Sequence, residues 1–164
     1  MATTDAIPLV AANARGLLQQ TVVPVLDTAA YAALDALHTL DLKFPGMALA
    51  DGGGGRITKL IVIDKDDQAA AGVLWLFTAE LANTTHTANG ALALHDTDLA
   101  TCIGTITFGA YSDGGNGQVS VNGSVDLFYQ CAAGDSALYG VLQTLGTPTY
   151  TASGLTILLQ AVLL

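Results

Sequence analysis

Histidine and cysteine are the residues best suited to nucleophilic or acid–base chemistry, and this 164-residue chain has few of them. They are His38, His86, His95, Cys102 and Cys131. Nucleophilic catalysis needs a Ser, Cys or Thr beside an oriented base, and both cysteines fall in apolar, strand-like segments, where thiols stay inert. No Gly-x-Ser-x-Gly elbow occurs. The sequence therefore predicts no catalytic residues and no enzyme.

Carboxylates cluster at two places that could bind a metal ion. The acidic turn Asp64–Gln68 could supply oxygen ligands to calcium, but the twelve-residue loop with its terminal glutamate is missing. The segment His95–Asp98 could hold a transition metal, although a polar loop explains it equally well. A solvated turn is the preferred interpretation of the first cluster. No metal and no cofactor are predicted.

The glycine run Gly52–Gly55 lacks the spacing and the following Lys-Ser/Thr of a phosphate-binding loop. It is interpreted as a flexible connector. Cys102 and Cys131 leave two possibilities open, namely two buried thiols or a disulfide between strands. Neither cysteine has the spacing of a zinc site.

Aromatic side chains could form a sugar-binding platform, although aromatic residues on strands are more often core or interface groups. The candidates are Trp75, Phe77, Phe108, Tyr111, Phe128, Tyr129, Tyr139 and Tyr150. Trp75 and Phe77 are expected to share one face of their strand, because side chains alternate along a strand.

The charge balance excludes some partners. The net charge is −9, and the five basic residues are scattered along the chain. Nucleic acids and anionic membranes are therefore not expected as partners. Charged residues make up only 12% of the chain, against about 25% in typical proteins. A surface so poor in charge predicts burial against partners in an oligomer or a larger assembly.

Six strand-like segments bounded by turn residues fill the second two thirds of the chain and predict an all-β sandwich or barrel. They are Arg56–Asp64, Gly72–Thr78, Cys102–Gly109, Gln118–Cys131, Leu138–Leu145 and Leu155–Leu164. Tyr111–Gly117 is interpreted as a hairpin tip. In the first segment Ile57, Ile61 and Ile63 are expected to face the core, with Leu60 and Val62 on the other face.

The N-terminal part differs from the rest. Met1–Gln20 is interpreted as an arm, with a short helix over Ala11–Gln20, ahead of a single β-sandwich domain spanning residues 21–164. The segment Thr21–Thr28 is expected to form an edge strand because of Pro24. Leu40–Phe44 is predicted as a strand, and Ala30–His38 is left open between helix and strand. Neither a signal peptide nor a membrane span is predicted, so the chain is expected to be soluble and made in the cytoplasm.

Three phrases resemble a group of small virion proteins encoded among the head genes of tailed bacteriophages. They are LDTAAYAALDAL (Leu26–Leu37), the glycine run followed by RITKLIVIDKDDQAAAGVLWLF (Arg56–Phe77), and LYGVLQTLGTPTYTASGLTILLQAVL (Leu138–Leu163). The match extends over most of Val22–Leu164. The chain departs from the group in its longer N-terminus and at Ala33–Leu37, where the group tends to carry glycine.

This resemblance implies an antiparallel β-sandwich of the jelly-roll kind that acts as a capsid cement, or decoration, protein. Such a protein binds the outer capsid surface of the virion and stabilises the lattice between major capsid protein subunits, as a homodimer or homotrimer. The C-terminal strand and the arm Met1–Gln20 are the candidates for subunit and capsid contacts. The alternatives are a glycan-binding module that uses an exposed aromatic such as Tyr111, and a neck or tail component of the virion.

Overall fold

The computed structural model describes residues 16–164, and strands are the main elements of this part of the chain. In chain order the elements are β1 (Leu17–Val22), β2 (Asp35–Ala36), β3 (Leu42–Phe44), β4 (Gly54–Asp64), β5 (Gly72–Phe77), β6 (Gly90–Ala91), α1 (Asp96–Leu99), β7 (Cys102–Phe108), β8 (Tyr111–Asp113), β9 (Gln118–Asn122), β10 (Leu127–Gln130), β11 (Leu138–Thr144) and β12 (Leu155–Leu163).

The strands form two antiparallel sheets that pack face to face. The first sheet has the order β1-β12-β4-β9-β8, and β10 also pairs with β4. The second sheet has the order β6-β2-β11-β5-β7, and β3 also pairs with β11. The predicted all-β antiparallel sandwich is therefore confirmed.

The core lies between the two sheets. The first sheet contributes fully buried side chains such as Leu60 and Ile157, and the second contributes Leu74, Leu76 and Leu142. A fully buried leucine or isoleucine stabilises the fold by about 1.5–3 kcal/mol relative to an exposed one. This one continuous core holds the sheets together, since both cysteines are free thiols and no disulfide joins the described strands.

A β-bulge in β4 reverses the predicted orientation of its side chains. Pairing with β12 shifts from Gln160 opposite Lys59 to Ala161 opposite Ile57, so Thr58 is an extra residue. The bulge resets the alternation, and Ile57, Leu60 and Val62 all face the core. The prediction that Ile61 and Ile63 face the core is wrong, because both lie on the outer side and are only half-buried.

The start of the described chain also differs from the prediction. Residues 17–20 form most of β1, which pairs with β12 along its whole length, so the predicted helix is wrong there. The pairing of a full strand outweighs weak helix propensity in this short segment. The predicted boundary between arm and sandwich falls inside β1, while residues 1–15 of the arm lie outside the described residues. The edge strand predicted from Thr21 is shorter than expected, because only Thr21 and Val22 of that segment are strand and β1 ends ahead of Pro24. β1 does pair on one side only and is an edge strand.

Two further segments need correction. The predicted single strand Gln118–Cys131 is two strands, β9 and β10, which pair with successive parts of β4. The break lies across the sheet from the β4 bulge, and an Asx turn in which Ser124 N–H donates to Asn122 Oδ1 marks it. The glycine run predicted as a flexible connector is only partly a loop, because β4 begins at Gly54. Gly55 also has a packing role, since a Cβ there would collide with the Tyr129 hydroxyl.

The remaining predictions agree with the structure more closely. The strand predicted at Leu40–Phe44 begins two residues later, at Leu42. The open segment Ala30–His38 contains the two-residue strand β2. The predicted hairpin tip Tyr111–Gly117 is a turn only from Gly114, because Tyr111–Asp113 form β8; in the turn Gly114 N–H donates to the carbonyl of Gly117.

Candidate interaction face

Every second side chain of β12, β4 and β9 points away from the core and forms the outer side of the first sheet. Strand register places Leu158 beside Ile61 and Ile61 beside Val121. Ile63 and Val119 form the next pair along the same strands. Across the described chain, these five side chains belong to neither of the two hydrophobic clusters, and Val121 is 54% exposed. We call this set of five residues the bare face.

The second sheet is different, because the chain covers its outer side. Leu81, Leu92 and Leu94, from the long segment between β5 and β7, belong to a cluster that includes Phe77 and Val141 of the sheet. The predicted shared face of Trp75 and Phe77 lies in this cluster. The sandwich therefore protects three of its four sheet faces and leaves the fourth apolar and open.

A second row of largely apolar side chains crosses the strands on the same outer side of the first sheet. A polar row that contains Lys59 separates it from the bare face. In register across the sheet it consists of Leu17, Val162, Arg56 and Phe128. Leu17 and Phe128 are 55% and 62% exposed. The Arg56 guanidinium lies 5.9 Å from the centre of the Phe128 ring and covers part of it.

Basic residues of this acidic protein concentrate along β4. Of the four Lys and Arg residues in the described part of the chain, Arg56, Lys59 and Lys65 lie on β4 or directly after it. Arg56 forms an exposed ion pair with Asp126 at 3.4 Å, a type of contact that adds little stability. The side therefore combines apolar rows with positive charge, which suits a partner surface that carries apolar side chains and carboxylates.

The structure brings two of the three histidines together. The rings of His38 and His86 meet edge to face, with their centres 5.5 Å apart. His38 Nδ1–H donates to the Leu40 carbonyl at 2.5 Å, and His38 Nε2 accepts from Leu142 N–H at 2.9 Å. Burial lowers the pKa of His38 to about 4. The ring thus accepts the hydrogen bond of Leu142 N–H, a β11 backbone group that lies between the residues paired with β2 and those paired with β3.

His86 is buried beside Asp41, and neither of its ring nitrogens has a hydrogen-bond partner among the described residues. Its Nε2 lies 3.8 Å from Asp41 Oδ1. Burial lowers the pKa of His86 and raises the pKa of Asp41, so burial favours the neutral form of each group. Among residues 16–164, no serine, threonine or cysteine side chain is hydrogen-bonded to either ring.

The two carboxylate clusters organise turns. Asp64 is fully buried and accepts from the backbone N–H groups of Asp66 and Ala69, so the expectation of a solvated turn is wrong at this residue. Asp66 in turn accepts from Thr151 N–H at 2.6 Å. Within residues 16–164, no three His, Cys, Asp or Glu side chains are arranged to hold a metal ion.

The second cluster forms the start of α1. His95 caps the helix by accepting from Thr97 N–H. Asp98 is buried and accepts from the N–H groups of Asn83 and Thr84. Burial alone would raise the pKa of Asp98, but these hydrogen bonds together outweigh it and lower the pKa to about 2. The carboxylate therefore anchors the loop that covers the second sheet.

The cysteines and the aromatic residues lie mostly inside. Cys131 is buried and Cys102 half-buried. Of the eight candidate aromatic residues, only Phe128 is exposed. Tyr111 is half-buried, and its hydroxyl donates to the Ala70 carbonyl at 3.1 Å. The described surface therefore presents no aromatic platform.

Comparisons with known proteins add no assignment, since no family model, curated protein or solved structure matches the chain. No helix among residues 16–164 is both long and apolar enough to cross a bilayer. The apolar residues on both sides of Arg56–Asp64 were the sequence signal for the bare face. Val119 and Val121 were missed because their outward orientation depends on the register with β4.

Proposed function

We propose that this chain is a capsid cement protein of a tailed bacteriophage, which binds the outer shell of the head and stabilises contacts between major capsid protein subunits. The observation that carries the proposal is the bare face, an apolar sheet surface that the described chain does not cover. The resemblance of Leu26–Leu37, Arg56–Phe77 and Leu138–Leu163 to head proteins supports the same assignment. The jelly-roll connectivity is part of this proposal.

The physical properties of the bare face suit a clamp on a protein lattice. A protein interface of standard size buries roughly 1,600 Å2, with an apolar centre and a polar rim. Apolar burial contributes about 25 cal/mol per Å2 before the costs of ordering are subtracted. The bare face supplies an apolar centre, and Arg56 and Lys59 supply rim charges that can pair with carboxylates on a capsid surface.

The overall charge also favours the outside of the shell. At a net charge of −9, the protein would be repelled from packaged DNA. An outer-shell position requires no affinity for nucleic acid. Because the same contact repeats over the lattice, linked copies gain avidity without stronger single contacts.

The strand order alters which of the contact segments predicted from the sequence can reach a partner. β12 lies between β1 and β4, so only its outward side chains, such as Leu158, can reach a partner. Deleting Met1–Gln20 would remove four of the six residues of β1, so that deletion cannot separate folding from attachment. Substitutions on the bare face provide a cleaner test.

The experiment is co-sedimentation of the purified chain with shells assembled from the major capsid protein of the same phage. We expect saturable binding by the wild type, loss of binding by Val121→Asp, and no loss by Leu49→Asp. Leu49 is 65% exposed in the loop between β3 and β4, so the control adds the same charge away from the sheet. Unfolding curves establish that both variants remain folded.

The copy number in the virion provides a second measurement. Hundreds of copies on the outer shell are expected for a cement protein, whereas about a dozen would indicate a neck component and overturn the proposal. Equal binding of Val121→Asp and Leu49→Asp to shells would show that the bare face is not the attachment surface.

A further inference from the structure

The outer edge of β1 is open to a further strand. β1 is hydrogen-bonded to one neighbour, β12, and no described strand pairs with its other edge. The carbonyl of Gly16 accepts from Leu163 N–H, so in antiparallel alternation the even-numbered residues of β1 bond to β12. The N–H and C=O groups of Leu17, Gln19 and Thr21 therefore point to the open edge.

This edge lacks the usual protection against pairing. Natural edge strands are guarded by charged residues, prolines, bulges or short length. β1 has six residues, LLQQTV, with no charge and no proline, and its pairing with β12 is regular throughout. The opposite edge of the same sheet, β8, has only three residues and contains Asp113.

The order of residue types along this edge is symmetric about Gln20. Reading outward from Gln20, Gln19 matches Thr21, Leu18 matches Val22, and Leu17 matches Val23. The symmetry therefore relates polar to polar and apolar to apolar residues at every step. Exposure follows the alternation, since the even-numbered residues face inward while Leu17, Gln19, Thr21 and Val23 are exposed.

We propose that two copies of this chain associate by antiparallel pairing of their β1 strands about a twofold axis at Gln20. In this register Gln19 lies opposite Thr21 of the other copy, and Leu17 opposite Val23. The Gln19–Thr21 pair uses backbone groups that point to the open edge. Shifting by one step to a twofold at Gln19 would set Leu18 against Gln20. The Gln20 register avoids this mismatch of apolar and polar side chains.

Apolar surface continues beyond the strand. Beside the Val23 end, an apolar groove of about 540 Å3 is lined by Val22–Val25 and His38–Lys43. Val25 and Leu40 at this groove are 77% and 80% exposed. The paired copy's Leu17, opposite Val23, would lie at the same end. The backbone ladder therefore extends into further apolar contact. This inference does not rest on the proposed function.

Two charge variants test the register in sedimentation equilibrium of the full chain. The double substitution Gln19→Lys with Thr21→Lys sets two lysines opposite each other at each step and is expected to yield monomers. Gln19→Lys with Thr21→Glu sets lysine opposite glutamate and is expected to retain the dimer. Both positions are exposed, so the monomer fold tolerates both pairs of substitutions.

A cysteine crosslink provides an independent test. Across the proposed axis the two Gln20 residues form a non-hydrogen-bonded pair, in which Cα atoms lie about 4.5 Å apart, a distance that a disulfide can span. Oxidation should link Gln20→Cys as a dimer but not Gln19→Cys, while the wild type controls for Cys102 and Cys131. A monomeric wild type, a dimeric lysine–lysine variant, or crosslinking at position 19 instead of 20 would overturn the proposal.

Discussion

The buried imidazole of His38 makes the stability of this protein depend on pH in a defined window. Burial lowers the pKa of His38 from 6.5 to about 4, while its ring is fixed by hydrogen bonds to Leu40 and Leu142. Because one pKa unit corresponds to about 1.4 kcal/mol, this difference is worth about 3 kcal/mol of folding free energy. The folded state gains this contribution only while the ring is neutral.

The direction of the pH dependence is set by the pKa of His38, which is lower in the folded chain than in the unfolded chain. Between pH 6.5 and about 4, the unfolded chain binds the His38 proton and the folded chain does not. Lowering the pH through this window therefore reduces the free energy of unfolding, and the contribution is complete above pH 6.5. The lowered pKa of His86 acts in the same direction, whereas the raised pKa of Asp41 acts in the opposite direction.

The assay combines urea denaturation across this window with NMR titration of the three histidines. We expect the His38 ring signal to titrate near pH 4 and the wild type to lose stability between pH 6.5 and 4. His38→Phe keeps a ring but leaves Leu142 N–H unpaired, costing about 1–3 kcal/mol at pH 7 and flattening the pH dependence. His95→Gln, at an exposed position, should retain it. A His38 midpoint near 6.5 would refute the reasoning.

Three other predictions concern packing and anchoring. Gly72→Ala places a Cβ 2.7 Å from a facing carbonyl oxygen and should cost about 1–3 kcal/mol in urea denaturation. Gly123→Ala has open space and should be nearly neutral. Phe44→Ala should lower stability by about 3–5 kcal/mol, whereas Phe128→Ala, at a position 62% exposed, should change the thermal midpoint little. The folded chain holds the pKa of Asp98 at about 2, so the wild type should lose stability as the pH falls from 3.8 to about 2. In acid denaturation, Asp98→Asn should lose less stability over this pH range than the wild type.

The sequence allowed the fold class to be predicted because strand patterns are local. Five of the six predicted segments correspond to single strands, β4, β5, β7, β11 and β12, with ends shifted by no more than two residues. The sixth, Gln118–Cys131, failed because its break depends on a bulge in another strand. Four of the six β1 residues, Leu17–Gln20, were assigned to a helix because their partner, β12, is about 140 residues away in the chain.

Only part of the bare face could be predicted from the sequence. Apolar residues on both sides of Arg56–Asp64 indicated a strand covered twice, but which residues face outward was inverted by the extra residue Thr58. That a loop covers the second sheet and not the first depends on where Leu81, Leu92 and Leu94 pack, which no local pattern encodes. The contact of His38 with His86 is likewise a tertiary feature.

The two proposed surfaces lie next to each other, and this arrangement leads to a further test. A twofold axis perpendicular to the first sheet at Gln20 would place both bare faces on the same side of the dimer, since Leu17 and Thr21 point outward there too. The capsid lattice could then contact both bare faces of one dimer. Once the first face is bound, the second is held at a high effective concentration, so the dimer binds more tightly than a monomer.

Breaking the dimer with the lysine–lysine pair at positions 19 and 21 should therefore weaken shell binding without abolishing it. Val121→Asp should abolish shell binding while leaving the dimer intact, because Val121 lies on β9, which is separated from β1 by two strands, β12 and β4. Sedimentation of each variant, alone and with shells, separates the two effects. If the lysine–lysine variant binds shells as tightly as the wild type, the two faces act independently. If Val121→Asp also dissociates the dimer, one surface serves both contacts.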